Sequence, residues 1–182
     1  MSNIEKNTKN LIQDYLLDEG LLREKVSNPK LDFGFQFIFP PGSDPMKRPI
    51  GRIMFVIKPK NKNLIVISLP TQISKHHVDA LNSLKEDRKM QFYWDLRKFF
   101  LIKDLFYRID IQNNRYEISD QIFLKDNGTI SKNKFFKSIR RVFDGSAYSN
   151  IILGEYCFGT IKPEDLMKSK DFSSGSDFSL YS

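Results

Sequence analysis

The strongest constraint on the fold is the stretch from Gly51 to Leu69, which reads GRIMFVIKPKNKNLIVISL. Two runs rich in β-branched and other apolar residues flank the polar segment Lys58 to Asn63, so the stretch predicts two antiparallel strands joined by a turn. An antiparallel strand pair usually has one apolar face, whereas both faces are apolar here. We therefore expect this hairpin in the centre of a sheet, or with its second face covered by a helix or by another chain.

The flanking segments predict further strands and a helical region. Residues 32–39, DFGFQFIF, place four phenylalanines on one face of a strand. Ser74 is suited to cap a helical pattern over about residues 75–101, whose phase slips near Glu86 to Lys89 and leaves open one kinked helix or two consecutive ones. Residues 106–123 predict a second hairpin, which turns at Asn113 and Asn114.

Both ends of the domain are predicted to be helical. An amphipathic helix opens the chain and ends at Gly20, which favours a left-handed closing residue. A last helix follows Ser131, and Gly145 leaves open whether it is continuous or restarts. The element order is therefore α-β-β-β-α-β-β-α, an α+β domain whose antiparallel sheet has about five strands with packed helices.

Length and composition support one domain. The chain has 182 residues, of which 40% are apolar and 16 are phenylalanine, enough for a single core that buries about 70% of the unfolded surface. We expect this domain to span residues 1–157. Residues 158–182 are rich in serine and are expected to form a flexible tail.

Several classes of protein do not fit the pattern. No apolar run approaches the roughly 20 residues of a membrane-spanning helix, and MSNIEKNTKN lacks the pattern of a signal peptide, so a cytoplasmic protein is expected. The single cysteine, Cys157, lies among apolar residues and is interpreted as a small buried hydrophobe. Adjacent residues on a helix point about 100° apart, so His76 and His77 do not form a metal site by themselves. Glu117 and Asp120 are interpreted as solvated charges on opposite faces of a strand.

We find no catalytic or cofactor motif, and we expect no enzymatic activity, cofactor, metal site or small-molecule substrate. The most distinctive polar feature is a basic cluster that follows Ser131, in a chain of net charge +7. On a helix its members occupy the outward arc, where they would form a solvated face or bind nucleic acid or another anionic partner. The cluster contains Lys132, Lys134, Lys137, Arg140 and Arg141.

The chain resembles a known fold in its element order and in four segments: LLDEGLL closing the first helix, DFGFQF, the long hairpin, and the helix opening ISKHHVDALNSL. These features resemble the type III secretion chaperone-like fold, its YbjN-like members, and an archaeal group of conserved proteins that share it. The resemblance implies a small protein, often a homodimer, that binds a protein segment without a cofactor. Secretion chaperones are usually acidic, whereas this chain is basic.

Two functional hypotheses follow. The first is a protein-binding or chaperone-like adaptor, most often a homodimer, in which one face of the central hairpin and part of the helix 75–101 contact a partner chain or a second subunit. The residues predicted to form that face are Met54, Val56, Leu64 and Val66, or their opposite-parity neighbours on the same strands. The alternative is a nucleic-acid-associated protein that uses the basic helix at residues 131–143.

Overall fold

A computed structural model of the chain describes residues 3–42, 51–125 and 127–159. Its elements confirm the α+β class, with a six-stranded sheet in the order β1-β2-β3-β4-β6-β5 and every neighbouring pair antiparallel. The elements are α1 (Asn3–Asp18), β1 (Leu22–Lys25), β2 (Leu31–Phe39), β3 (Arg52–Pro59), β4 (Leu64–Gln72), α2 (Lys75–Ser83), α3 (Glu86–Ile102), β5 (Phe106–Asp110), β6 (Arg115–Phe123) and α4 (Lys132–Phe158).

Local signals set several element ends as predicted. Gly20 closes α1 with a φ of 65°, a left-handed conformation that glycine adopts without steric cost. Ser74 and Ser131 cap α2 and α4, and each side chain accepts a hydrogen bond from a backbone N–H of the first turn. Asn114 has a φ of 49° in the turn between β5 and β6. The central hairpin forms β3 and β4 in the middle of the sheet.

The structure adds an edge strand to the expected order and resolves the alternative left open for the region 75–101. β1, with the sequence LREK, has no apolar alternation because it pairs with β2 at the edge of the sheet and three of its four residues are exposed. The region 75–101 forms two helices that break at Leu84 and Lys85.

The last helix is continuous through Gly145. A Cβ atom at this position would lie 2.5 Å from Cδ1 of Leu105, so the glycine permits α4 to pack closely against the chain that enters β5. Gly145 therefore marks a packing contact and not a helix end.

The helices pack on one face of the sheet. The core cluster joins α1, α2, α3 and α4 to alternate residues of β2, β3, β4 and β6, including Phe35, Val56, Ile67 and Ile118. We call this side of the sheet the covered face and the other side the outer face. Of the predicted tail at residues 158–182, the part from residue 160 onward lies outside the described residues, as do residues 43–50.

Candidate protein-binding surfaces

Strand register assigns each apolar residue of the central hairpin to one face. Val56 lies opposite Ile67 and Phe35, whereas its neighbour Ile57 lies opposite Val66 and Gly34. Cross-strand partners project from the same face, so Val56 lies on the covered face and Ile57 on the outer face. Even-numbered positions of β3 thus share a face with odd-numbered positions of β4.

The four residues predicted to bind a partner are divided by this register. Met54 and Val56 are 0% exposed under the helices, whereas Leu64 and Val66 lie partly exposed on the outer face. The expectation that all four share one surface is wrong. A register shift of one residue exchanges the faces of a strand, and the sequence of the turn did not reveal which register it sets.

The outer face is apolar across the sheet. Ile53, Phe106 and Phe123 are 50%, 54% and 69% exposed, and the members from the middle of the sheet are partly buried by their neighbours. None of these side chains packs against the core cluster that the helices form within the described residues. The outer face comprises Ile38, Ile53, Phe55, Ile57, Leu64, Val66, Phe106 and Phe123.

Charged side chains of the outer face lie at its two edges: Glu24, opposite Gln36, at the β1 edge, and pairs of opposite sign at the β5–β6 edge. Arg108 lies opposite Glu117 in the β5–β6 pair, and Arg115 Nε donates to Asp110 Oδ2 at 3.0 Å. A hydrogen bond from the Asn113 side chain is the main cause that lowers the pKa of Asp110, and the hydrogen bond and charge of Arg115 lower it further. The pairs at the β5–β6 edge add no net charge to the face.

The predicted basic cluster of α4 does not form one uniform surface. Lys132 Nζ lies 2.7 Å from Glu19 and 3.5 Å from Asp18, and the hydrogen bond with Glu19 is the main reason that the pKa of Lys132 is raised. Arg141 Nη1 lies 3.6 Å from Asp120. Carboxylates of the chain thus engage two of the predicted anion-binding residues.

The other three members, Lys134, Lys137 and Arg140, are exposed and form no ion pair with any described residue. Lys137 and Arg140 line a groove of about 870 Å³ between the end of α3 and one side of α4, whereas Lys134 does not line it. We call this groove the α3–α4 groove. It is lined by Phe99, Ile102, Lys103, Asn133, Lys137, Arg140, Arg141, Asp144, Gly145 and Tyr148.

An aromatic pair and an isoleucine form the apolar part of the α3–α4 groove. The ring of Tyr148 stacks on Phe99 with centroids 4.4 Å apart and planes inclined by 23°, and Ile102 is 79% exposed beside them. Sequence reasoning missed these residues as a site. Phe99 lies within the helical pattern predicted over residues 75–101, and no local pattern indicates that the end of α3 lies beside the middle of α4.

Asp120 is not the solvated charge that its sequence context suggested. It is 8% exposed on the covered face of β6, where Ser138 Oγ donates to its Oδ2 at 2.7 Å and Arg141 lies on the other oxygen. Glu117 is exposed on the outer face, so the two carboxylates do lie on opposite faces. The buried carboxylate links α4 to the sheet.

The histidines and the cysteine lie near the end of α4. The exposed ring of His76 stacks on Phe158 at 5.0 Å, while Cys157 is partly buried against the core and burial raises the pKa of its thiol. Across residues 3–42, 51–125 and 127–159 no group of three or more His, Cys, Asp or Glu side chains is placed to hold a metal ion. Nor is any helix of these ranges long and apolar enough to cross a membrane.

Comparison with known proteins identifies the family. Residues 8–153 match the model of the family described as "Uncharacterized conserved protein (DUF2299)", and the chain belongs to this family. No curated protein matches the chain.

Solved structures confirm the fold. An uncharacterized protein from Methanothermobacter thermautotrophicus superposes with a TM-score of 0.71 at 23% identity, over 82% of this chain and 99% of that one. A chain of the ExsC–ExsE complex superposes with a TM-score of 0.51 at 10% identity, over 84% of this chain and 97% of that one. YbjN from E. coli gives 0.43 at 11% identity, over 81% and 90%. The predicted resemblance to the type III secretion chaperone-like fold is confirmed.

Proposed function

We propose that this DUF2299 protein is a non-enzymatic protein-binding domain, an adaptor or chaperone, whose outer face packs against the outer face of a second copy of the chain. The observation that carries the proposal is the apolar outer face itself. It extends from Ile38 on β2 to Phe106 on β5, and in the part of the chain that the structure describes none of its side chains packs against the core cluster.

The hydrophobic effect explains why such a face would be covered. Contiguous exposed apolar patches larger than a few hundred Å² usually mark an interface in a soluble protein. Two copies of one patch related by a two-fold axis provide the commonest way to bury it. The exposed Ile53 and Phe123 would lose contact with water in such an arrangement.

Charge distribution favours a second copy as the occupant. The chain has a net charge of +7, so two copies repel each other wherever their cationic surfaces meet. The centre of the outer face has no charged side chain, its β5–β6 edge has balanced pairs, and Glu24 lies at the β1 edge. Lys137 and Arg140, which form no ion pair with any described residue, lie on α4 in the helical layer. Association through the outer face therefore keeps the excess positive charge apart.

The fold also has a precedent for protein binding. A chain of similar fold has been solved as part of the ExsC–ExsE complex, which shows that this architecture can take part in an assembly of proteins. For the present chain the support comes from its own outer face and not from that likeness.

Oligomeric state tests the proposal. The double variant Ile57→Lys/Val66→Lys places two cations at adjacent cross-strand positions of the outer face, and we expect it to be a folded monomer where the wild type is a dimer. Light scattering coupled to size-exclusion chromatography at micromolar concentration measures the mass, and circular dichroism reports the fold.

A matched control places the same charges elsewhere. Leu17 and Leu101 are exposed leucines of α1 and α3, so Leu17→Lys/Leu101→Lys adds equal charge to the helical layer and should remain a dimer. A wild-type protein that is already a monodisperse monomer would overturn the proposal. So would dissociation of both double variants alike.

Nucleic acid is the alternative partner predicted from the basic helix at residues 131–143, and no specific observation in the structure favours nucleic acid binding. Two of its five predicted cations, Lys132 and Arg141, face carboxylates of the chain. Absorbance ratios of the purified protein, with and without nuclease treatment of the lysate, show whether nucleic acid accompanies it.

A further inference from the structure

We propose that the α3–α4 groove binds an acidic, amphipathic segment of a partner protein. This site lies in the helical layer, on the side of the sheet opposite the outer face, and it does not depend on how the outer face is covered. The segment would place carboxylates on the cations of the groove and apolar side chains on Ile102 and Tyr148.

The groove has the length of a short helix or extended segment. Its α4 wall runs from Asn133 to Tyr148 along one helical stripe, and a rise of 1.5 Å per residue makes this wall about 22 Å long. Grooves of this kind accept a partner helix through apolar side chains that recur at intervals of three and four residues.

The charges of the groove select an acidic partner. Four cationic side chains line it and only one carboxylate, that of Asp144, belongs to the lining. Lys137 and Arg140 have no ion pair with any described residue, so their charges are available to a ligand. Opposite potentials on two surfaces speed association and disfavour partners of the wrong charge.

The apolar part selects a partner with apolar side chains. Ile102 is 79% exposed and Tyr148 50% exposed, and the Phe99–Tyr148 stack holds the tyrosine ring in place at the groove. A rigid aromatic side chain beside an aliphatic one is typical of the anchors that dominate binding energy at protein interfaces.

The same arrangement is less suited to a phosphate backbone. Nucleic acid binding to a single strand combines a continuous cationic track with several aromatic platforms. Here Asp144 adds a carboxylate to the lining, Arg141 already faces Asp120 and Asp104, and Phe99 and Tyr148 stack on each other. A protein segment with both acidic and apolar side chains matches the groove better.

Binding of a defined peptide tests this proposal. The probe is a fluorescein-labelled peptide of about 15 residues with leucines at helical spacing and glutamates elsewhere, long enough to cover the α4 wall. We expect fluorescence anisotropy to show saturable binding that weakens with added salt. Replacing its leucines by serine, or its glutamates by glutamine, should each weaken binding by about tenfold or more, because each change removes one of the two matched features.

Variants of the protein locate the site. Lys137→Glu/Arg140→Glu should weaken binding of the acidic peptide by about tenfold or more, and Ile102→Ser should weaken it to a smaller extent. Lys60→Glu/Lys62→Glu makes the same change of charge in the exposed turn between β3 and β4, and this control should bind like the wild type. Ile57→Lys/Val66→Lys should also retain binding, which separates this site from the outer face.

Three results would overturn the proposal. The first is no binding of the peptide up to about 100 µM. The second is an equal loss in the Lys60/Lys62 control, which would indicate a general charge effect. The third is binding of labelled oligothymidylate of about 15 nucleotides, lost in Lys137→Glu/Arg140→Glu, with no binding of the peptide, which would assign the groove to nucleic acid.

Discussion

The two faces of the central sheet carry similar side chains but differ in solvent exposure. On the covered face Val56 and Ile67 are 0% exposed, while Ile57 and Val66, one position along the same strands, remain partly exposed on the outer face. Both sets are β-branched and apolar, so composition does not distinguish them. The difference arises because the helices that follow β4 and β6 pack on the same side of the sheet. Apolar side chains on either face of the sheet are more stable when buried, and the chain topology decides which face the helices of the same chain cover.

The largest expected effect on stability comes from a substitution in the core beneath the covered face. Phe35→Ala removes a ring that is 0% exposed and should lower the free energy of unfolding by about 3–5 kcal/mol, because it leaves a cavity in a close-packed core. Denaturant unfolding measures this change. Phe123→Ala, at an exposed outer-face position, is the matched change. With both changes made in the Ile57→Lys/Val66→Lys variant, where the proposed interface is disrupted, Phe123→Ala should cost below about 1 kcal/mol. Similar losses for the two variants would contradict the assignment of faces.

A smaller effect is expected where the covered face holds a charge. Asp120→Ala leaves the hydroxyl of Ser138 without its acceptor and Arg141 without a carboxylate at 3.6 Å, and should cost about 1–3 kcal/mol. Thermal and denaturant melts measure the loss. Glu117→Ala, the exposed carboxylate on the other face of β6, should change stability by less than about 0.5 kcal/mol. An Asp120 variant as stable as the Glu117 variant would show that the buried contact contributes nothing.

Two glycines of α4 test how closely the helix packs on the covered face. A Cβ at Gly145 would lie 2.5 Å from Leu105 Cδ1. Gly145→Ala should therefore destabilise the protein by about 1 kcal/mol, because overpacking costs more than the better helix propensity of alanine contributes. Gly154→Ala, in the same helix with nothing within 4 Å of its Cβ, should stabilise it by up to about 1 kcal/mol. Stabilisation by both changes would indicate that Leu105 moves aside freely.

The smallest expected effect is on pH dependence, at the contact between α3 and the end of α4. The Tyr156 hydroxyl donates a hydrogen bond to Asp95 Oδ2 at 2.6 Å. This hydrogen bond is the main cause that lowers the pKa of Asp95 below 3.8. Burial is the main cause that raises the pKa of Tyr156 to about 12. A lowered carboxyl pKa stabilises the fold above its unfolded value, and this stabilisation is lost as pH falls through the folded value. Tyr156→Phe should therefore raise the pKa of Asp95 in an NMR titration, and the stability difference from wild type should narrow below about pH 4. Gln91→Ala removes a weaker hydrogen bond to the same carboxyl and should raise the pKa of Asp95 less. An unchanged pKa of Asp95 in Tyr156→Phe would contradict the role of the Tyr156 hydrogen bond.

The amino-acid sequence by itself determined the local features of this protein. Alternation in GRIMFVIKPKNKNLIVISL predicted β3 and β4, and Ser74 and Ser131 predicted helix starts. Gly20 predicted a helix end, and Asn114 predicted a hairpin turn. Each of these signals acts within a few residues, through a hydrogen bond to a nearby N–H or through the φ angle that a residue tolerates.

Only the tertiary structure decided which residues meet. The register that separates Val56 from Val66, the burial of Asp120 against Ser138, and the groove that joins Phe99 to Tyr148 all depend on contacts between segments distant in the sequence. The same apolar pattern is compatible with either face of a strand, because a shift of one residue exchanges them. The covered face was therefore settled by the packing of the helices on the sheet, a contact that no local pattern encodes.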